Sequence, residues 1–173
     1  MGPIIKYKGL EIDNAGKLLK KPHWRYGYCR VVMGTTYIGD DGVERPVDPK
    51  TVGQFTGILD SNEKEVYTGD IFEVTFHPNI YEPKYNSDGV ECGEDYTVHP
   101  GVEVKFAVIW QTECAGFSAQ IIDVEPKGVL VGSTKIPRRE IAVGDIHALD
   151  DFFNEYRSEE IIGNIYEKEA KGE

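Results

Sequence analysis

Residues Val52–Val74 read VGQFTGILDSNEKEVYTGDIFEV, and the spacing of apolar residues in this stretch decides the fold class. Phe55–Leu59 reads as one strand, Asp60-Ser61-Asn62-Glu63 as a polar turn, and Lys64–Tyr67 as the return, which makes a self-contained hairpin. Gly69-Asp70 then redirects the chain: glycine tolerates an unusual φ, and the aspartate side chain can bond nearby backbone amides. In the run that follows, Phe72, Val74 and Phe76 share one parity while Glu73 and Thr75 take the other. That is the period-two pattern of a half-buried strand.

The same period extends outward in both directions. Val102, Val104, Phe106, Val108 and Trp110 fall on one parity, and Ala115-Gly116 should turn the chain into a third strand over Phe117–Val124, giving a meander. Trp24–Met33 is rich in aromatic and β-branched residues, and Tyr37–Val43 supplies Asp-Gly turn chemistry for a hairpin tip. A second Gly-Asp pair at Gly144-Asp145 precedes Ile146 as Gly69-Asp70 precedes Ile71. Helix is scarce. Leu149–Arg157 is the one good candidate, opened by Asp150 or Asp151, with Leu149, Phe152, Phe153 and Tyr156 at helical spacing.

The chain has 173 residues, enough for one domain with a real core. Thirty acidic against nineteen basic residues give a net charge of −11, which repels polyanions and disfavours nonspecific binding to nucleic acid. No apolar run suits a signal peptide or a membrane span, and Lys6 stands where N-myristoylation requires Ser or Thr. Cys29, Cys92 and Cys114 are odd in number and widely spaced, as expected of free thiols in a reducing compartment. The expected location is cytoplasmic.

The Val52–Val74 stretch pairs with EIIGNIYE at Glu160–Glu167, and together they resemble the YopX family of phage and prophage proteins. The resemblance extends to Ile5–Gly9, Trp24–Tyr28 and Val47–Gln54, about half the chain in all. His77–Gly101 and Lys127–Asp145 do not match and read as insertions. The resemblance implies a phage or prophage setting. It brings no mechanism, because the family has no established activity. Within the matching motifs Gly57, Gly69 and Asp70 are expected to serve the architecture. Ile161–Tyr166 reads as a closing strand whose Gly163-Asn164 makes a bulge, with Asn164 fastening a bend rather than facing a ligand.

Three groups of residues invite a chemical reading. His77, Cys92 and His99, with Asp88, Glu91, Glu94 and Asp95, are metal-ligand types, yet no CxxC or HxxxH spacing sets two of them on one element. The same segment interleaves Tyr81, Tyr85 and Tyr96 with Pro78, Pro83 and Pro100, and is better read as an ordered arm that contacts another protein. Lys17, Lys20, Lys21, His23 and Arg25 lie beside Trp24 and Tyr26, the mix used for single-stranded nucleic acid. The acidic balance favours a solvated connector there instead, and Arg138-Arg139 is read as surface. Asp40-Asp41, Asp150-Asp151 and Glu159-Glu160 are explained by a turn, a helix start and a strand entry. No phosphate loop, dinucleotide fingerprint, nucleophile elbow or HExxH helix is present.

The expectation is a mostly β protein: a small, strongly bent sheet or SH3-like barrel with a long loop insertion and one short helix in its C-terminal half. It reads as one domain over residues 1–173, divisible into an N-terminal β subdomain at 1–54 and a barrel-like part at 55–173 with its insertion at 77–101. No catalytic, cofactor-binding or metal residue is assigned, and no cofactor is expected. The leading reading is a noncatalytic phage or prophage accessory protein acting through protein association. Its expected partners are a second copy of the chain and a host or phage protein, not a membrane. The alternative is a nucleic-acid-associated module in phage DNA metabolism or host takeover that uses the Lys17–Arg25 patch.

Overall fold

The structure is a computed structural model that describes residues 5–40, 42–77, 79–98, 101–113, 115–125, 127, 130–131, 139–140, 142–149, 152–154 and 157–167. The chain is mostly β. Its first strands are β1 (Tyr7–Leu10), β2 (Trp24–Val32), β3 (Thr35–Asp40), β4 (Val43–Val47), β5 (Gly53–Leu59) and β6 (Glu65–Tyr67). They form a six-stranded sheet in the order β4-β3-β2-β1-β5-β6. A single 3-10 turn, Pro49–Thr51, joins β4 to β5, with the Asp48 carboxylate accepting from Lys50 N at 3.0 Å.

The meander follows as β7 (Asp70–Phe76), a hairpin of β8 (Asn79–Tyr85) and β9 (Glu91–Val98), then β10 (Val102–Gln111) and β11 (Gly116–Glu125). Short strands complete the chain: β12 (Leu130–Val131), β13 (Arg139–Glu140), β14 (Ile146–Ala148), β15 (Phe153–Asn154), β16 (Arg157–Ser158) and β17 (Ile161–Asn164). The second sheet runs β14-β11-β10-β7-β17, so the expected meander is present and the closing strand joins β7. Its register slips between Ile161 and Gly163, the bulge anticipated at that glycine.

Neither sheet closes on itself among the described residues, so the SH3-like barrel expectation is corrected to two open sheets. The edges explain it. Beyond β4 the chain after β1 adds an isolated bridge, Glu11 to Val47, and not a strand: Ile12 N donates to Pro46 O at 3.0 Å, and Pro46 has no N–H to return the bond; on the other edge Tyr67 N donates to the Asp70 carboxylate at 2.8 Å. The helix expectation over Leu149–Arg157 is corrected as well: Phe153–Asn154 pairs antiparallel with Arg157–Ser158 in a tight hairpin. The reason is aromatic packing. Phe152 and Phe153 are both buried, with ring centroids 5.2 and 4.9 Å from Phe72, and a tight turn places neighbouring rings on one target. Asp150 and Asp151, its supposed caps, lie outside the described residues, as does Tyr156.

By contacts the chain groups into two compact units. The first comprises Met1–Phe72, Ala107–Ala119 and His147–Glu173, with a core of Leu10, Ile38, Val47, Val66, Tyr67, Phe72, Val108, Leu149, Phe152 and Phe153. The second comprises Glu73–Phe106 and Gln120–Ile146, with Val74, Val102, Val104, Phe106, Ile121 and Val124 buried. No described helix is long and apolar enough to cross a membrane.

Turn chemistry agrees with sequence at most corners. Gly42, Gly69 and Gly144 all take positive φ, at 81°, 89° and 100°. One corner was not foreseen: the strand expected to run to Met33 ends at Val32, because Met33 (φ 49°) and Gly34 (φ 82°) turn the chain into β3.

Candidate functional site

The first motif and the closing strand meet at a buried polar cluster in the first unit. Asp70, at the start of β7, is 1% exposed; Asn164, at the end of β17, is 5% exposed; Lys8, in the middle of β1, is 7% exposed. The Lys8 ammonium donates to Asp70 Oδ1. Asn164 Nδ2 donates to the same oxygen at 3.0 Å, and Tyr67 N donates to Oδ2 at 2.8 Å. Asn164 Oδ1 in turn accepts from Tyr166 N at 3.0 Å. An ionised pair withdrawn from water persists only when its remaining hydrogen-bonding capacity is met, and here the carboxylate has a donor at each oxygen.

Backbone geometry makes the cluster possible. Gly69 sits at φ 89°, bonding Val108 O through its N–H (2.7 Å) and Ile165 N through its carbonyl (2.9 Å). A Cβ there would lie 3.1 Å from Asn164 Nδ2 and 3.2 Å from the Tyr166 ring, so the position is closed to larger residues on two counts. The expectation that Gly69, Asp70 and Asn164 serve architecture is met in this geometry, since each holds backbone or a neighbour. Gly57 takes φ 88°, within the irregular β5–β6 register between Phe55 and Leu59.

The register fixes which side chains share a face. Lys8 lies opposite Tyr26 and Leu10 opposite Trp24, so Lys8, Trp24 and Tyr26 stand on one face of the sheet. The Lys8 ammonium lies 4.8 Å from the Trp24 ring centroid and 5.1 Å from that of Tyr67, within cation–π range. Tyr26 meets Tyr67 edge-on at 5.8 Å. Tyr67 OH donates to Glu65 Oε2 at 2.5 Å, and Glu65 also accepts from the Lys6 ammonium. Burial pushes the Glu65 carboxyl up, but the bonds from Lys6 and Tyr67 outweigh it and leave it below its ordinary value. The Tyr67 phenol is held far above the usual range by burial, then by its bond to Glu65.

These groups line a cleft of about 440 Å³, whose walls are Lys8, Trp24, Tyr26 and Tyr67 from the first sheet, Asp70 from β7 and Ile161–Asn164 from β17. Lys64, Glu65 and Glu167 also line it. The volume falls in the range of small-ligand sites. Burial raises the Tyr26 phenol first, and the carboxylates of Asp70, Glu167 and Glu65 each raise it further.

The chain belongs to the YopX family. The family described as YopX protein matches residues 21–170. No curated protein and no solved structure matches the chain. The match begins beyond Ile5–Gly9, so that part of the expected resemblance falls outside it. Its span includes His77–Gly101 and Lys127–Asp145.

The other candidate groups fare differently. The Lys17–Arg25 patch is divided by the pleat. Arg25 lies opposite Gly9, on the face away from Trp24 and Tyr26, and its guanidinium is bound to Glu11 at 2.6 and 2.7 Å; His23 Nδ1 meets the same carboxylate oxygen at 3.1 Å. Burial raises the Glu11 carboxyl, but the bonds from His23 and Arg25 prevail and hold it below its ordinary value. Lys17, Lys20 and Lys21 remain exposed.

The arm forms the β8–β9 hairpin, with Tyr81 opposite Tyr96, and Tyr85 is 62% exposed. The side chains of Tyr81 and Tyr96 lie outside the described residues, as do Pro78, His99 and Pro100. Cys92 is exposed beside the turn, level with Lys84 and Tyr85, whereas His77 precedes the base of the hairpin. Seven residues of strand separate those levels by roughly 23 Å, too far for shared ligation. Among the described residues no three His, Cys, Asp or Glu side chains gather as a metal site. Cys29 and Cys92 are free thiols, and Cys114 lies outside the described residues.

A second buried carboxylate ties the motifs together. Asp60 Oδ1 accepts from Asn62 N (2.8 Å) and Lys64 N (2.9 Å), and Oδ2 from Ile161 N (3.2 Å). Burial raises this carboxyl, but the three backbone donors outweigh it and set it below its ordinary value. The folded state therefore favours the charged form. That stabilisation is full above the unfolded value near pH 4 and is lost as pH falls through the folded value. Asp60→Ala is expected to cost about 2–4 kcal/mol at neutral pH and progressively less as pH falls below about 4, read from urea midpoints across pH. A cost that does not change with pH would show that ionisation of Asp60 is irrelevant.

Proposed function

We propose that this YopX chain is a noncatalytic phage or prophage accessory protein, working in the cytoplasm through protein association, with a second copy of itself as the first partner. The observation that carries the reading is the β2–β3 tip. Val31 is 67%, Val32 40% and Met33 fully exposed, and residues 31–39 carry no charge at all. In a chain with net charge −11, most pairs of surfaces repel when two copies meet, so an uncharged apolar projection is the face on which self-association costs least. Tyr28, 43% exposed, and Arg30, paired with Glu44, continue β2 with residue types favoured at interface centres.

Light scattering coupled to gel filtration is expected to find an oligomer, and Met33→Ser with Val31→Thr to shift it to monomer without loss of β-sheet circular dichroism. A strict monomer at all concentrations for the unaltered chain would sink the reading. The nucleic-acid alternative is supported by the aromatic residues of β2, but the cations on their face are already matched: Lys6 by Glu65, Lys8 by Asp70, Arg30 by Glu44. Low-salt binding of single strands, abolished by Lys17/Lys20/Lys21→Glu, would favour that alternative instead.

A further inference from the structure

From the cleft between β6 and β17 we infer that a basic side chain, Lys or Arg, of a partner protein docks there, held by the Trp24 and Tyr26 rings and by the Glu167 carboxylate. The inference deepens the association reading above and rests on it.

Three features point to a cation. Trp24, Tyr26 and Tyr67 turn aromatic surface toward one cleft, and ring quadrupoles attract ammonium and guanidinium groups. The inner part of the cleft already holds such a group, since the Lys8 ammonium sits over Trp24 and Tyr67 against Asp70. Of the three carboxylates that line the cleft, Asp70 is matched by Lys8 and Glu65 by Lys6, which leaves Glu167 to face an incoming cation beside Tyr26. Lys8 is neutralised by Asp70, while Lys64 is exposed and stands at the lip. Tyr26 is 51% exposed, so its ring is open to an incoming group. The acidic chain as a whole, with pI near 4.8, also attracts basic partners.

The test uses the full chain carrying Trp110→Phe, which leaves Trp24 as the sole tryptophan. Its fluorescence is followed while a capped tetra-arginine peptide, putrescine, a capped tetraglutamate peptide or inorganic phosphate is added. The expected result is a saturable change with tetra-arginine alone, weakened about tenfold or more by Tyr26→Ala and several-fold by Glu167→Gln. Lys64→Ala is expected to tighten it, because that change removes a competing cation.

Putrescine binding as tightly as the peptide would overturn the protein source in favour of a free amine. Phosphate or tetraglutamate binding that weakens in Lys64→Ala, or no saturable change with any probe, would overturn the inference altogether. The Met33→Ser, Val31→Thr variant separates the two readings. If it becomes monomeric while tetra-arginine still fails to bind the parent, self-association stands and the cleft inference falls. If tetra-arginine binds a parent that is strictly monomeric, self-association falls and the cleft remains a cation site for a different protein.

Discussion

Asp70→Asn is expected to destabilise the protein by about 3–5 kcal/mol, the largest effect of any single polar substitution in the chain. The substitution keeps the shape of the side chain and removes its charge. Lys8 is then left as a buried ammonium without a counter-ion, in a place where only the Trp24 and Tyr67 rings offer partial compensation. An asparagine at position 70 also turns an amide donor either toward Lys8 and Asn164 Nδ2 or toward Tyr67 N, all of which are donors themselves.

The pair can be separated from its surroundings by a double-mutant cycle. Lys8→Met alone leaves Asp70 with Tyr67 N and Asn164 as donors, so it should cost less than Asp70→Asn. Lys8→Met combined with Asp70→Asn should cost clearly less than the sum of the single changes, because no unpaired charge remains. Urea denaturation followed by circular dichroism measures all three. Additive costs, or an Asp70→Asn cost below about 1 kcal/mol, would show that the pair does not hold β1 to β7.

Much of this cluster was legible in the sequence, though not its meaning as a unit. Gly69-Asp70 and Gly163-Asn164 each announced local turn chemistry, and period two placed Phe72 and Val74 inward. Nothing local announced Lys8. Its partners lie 62 residues away in the chain, and a lysine amid IKYKG reads as surface until the register sets it opposite Tyr26. The Lys17–Arg25 patch failed for the converse reason: neighbours in sequence fall on opposite faces of a strand, so a basic–aromatic mixture in one dimension becomes two separate surfaces in three. Of the metal-type residues, His77 and Cys92 stand apart because the β8–β9 hairpin spreads by length what the sequence compresses. Barrel closure failed because it depends on whether the outermost strands find a full partner, and β4 finds an isolated bridge to Glu11, which the alternation of inner strands does not report. Exposure of the Val31–Met33 tip was hidden by composition, since Val and Met read as core wherever a strand continues.

Phe72→Ala is the second large effect, expected to cost about 3–5 kcal/mol and to lower the thermal midpoint by roughly 10 °C. Phe72 is fully buried, lies opposite Ile161 on β17, and meets the rings of Phe152 and Phe153 at 5.2 and 4.9 Å. Truncation removes the contacts with both rings at one buried site. The substitution also tests the local structure that displaced the expected helix. Phe152, in the turn before β15, and Phe153, the first residue of β15, both meet the Phe72 ring. Double-mutant cycles of Phe72→Leu with Phe152→Leu and with Phe153→Leu should therefore each show coupling of about 0.5–1.5 kcal/mol. Coupling to one phenylalanine and not the other would show that the two rings do not share Phe72 as their target.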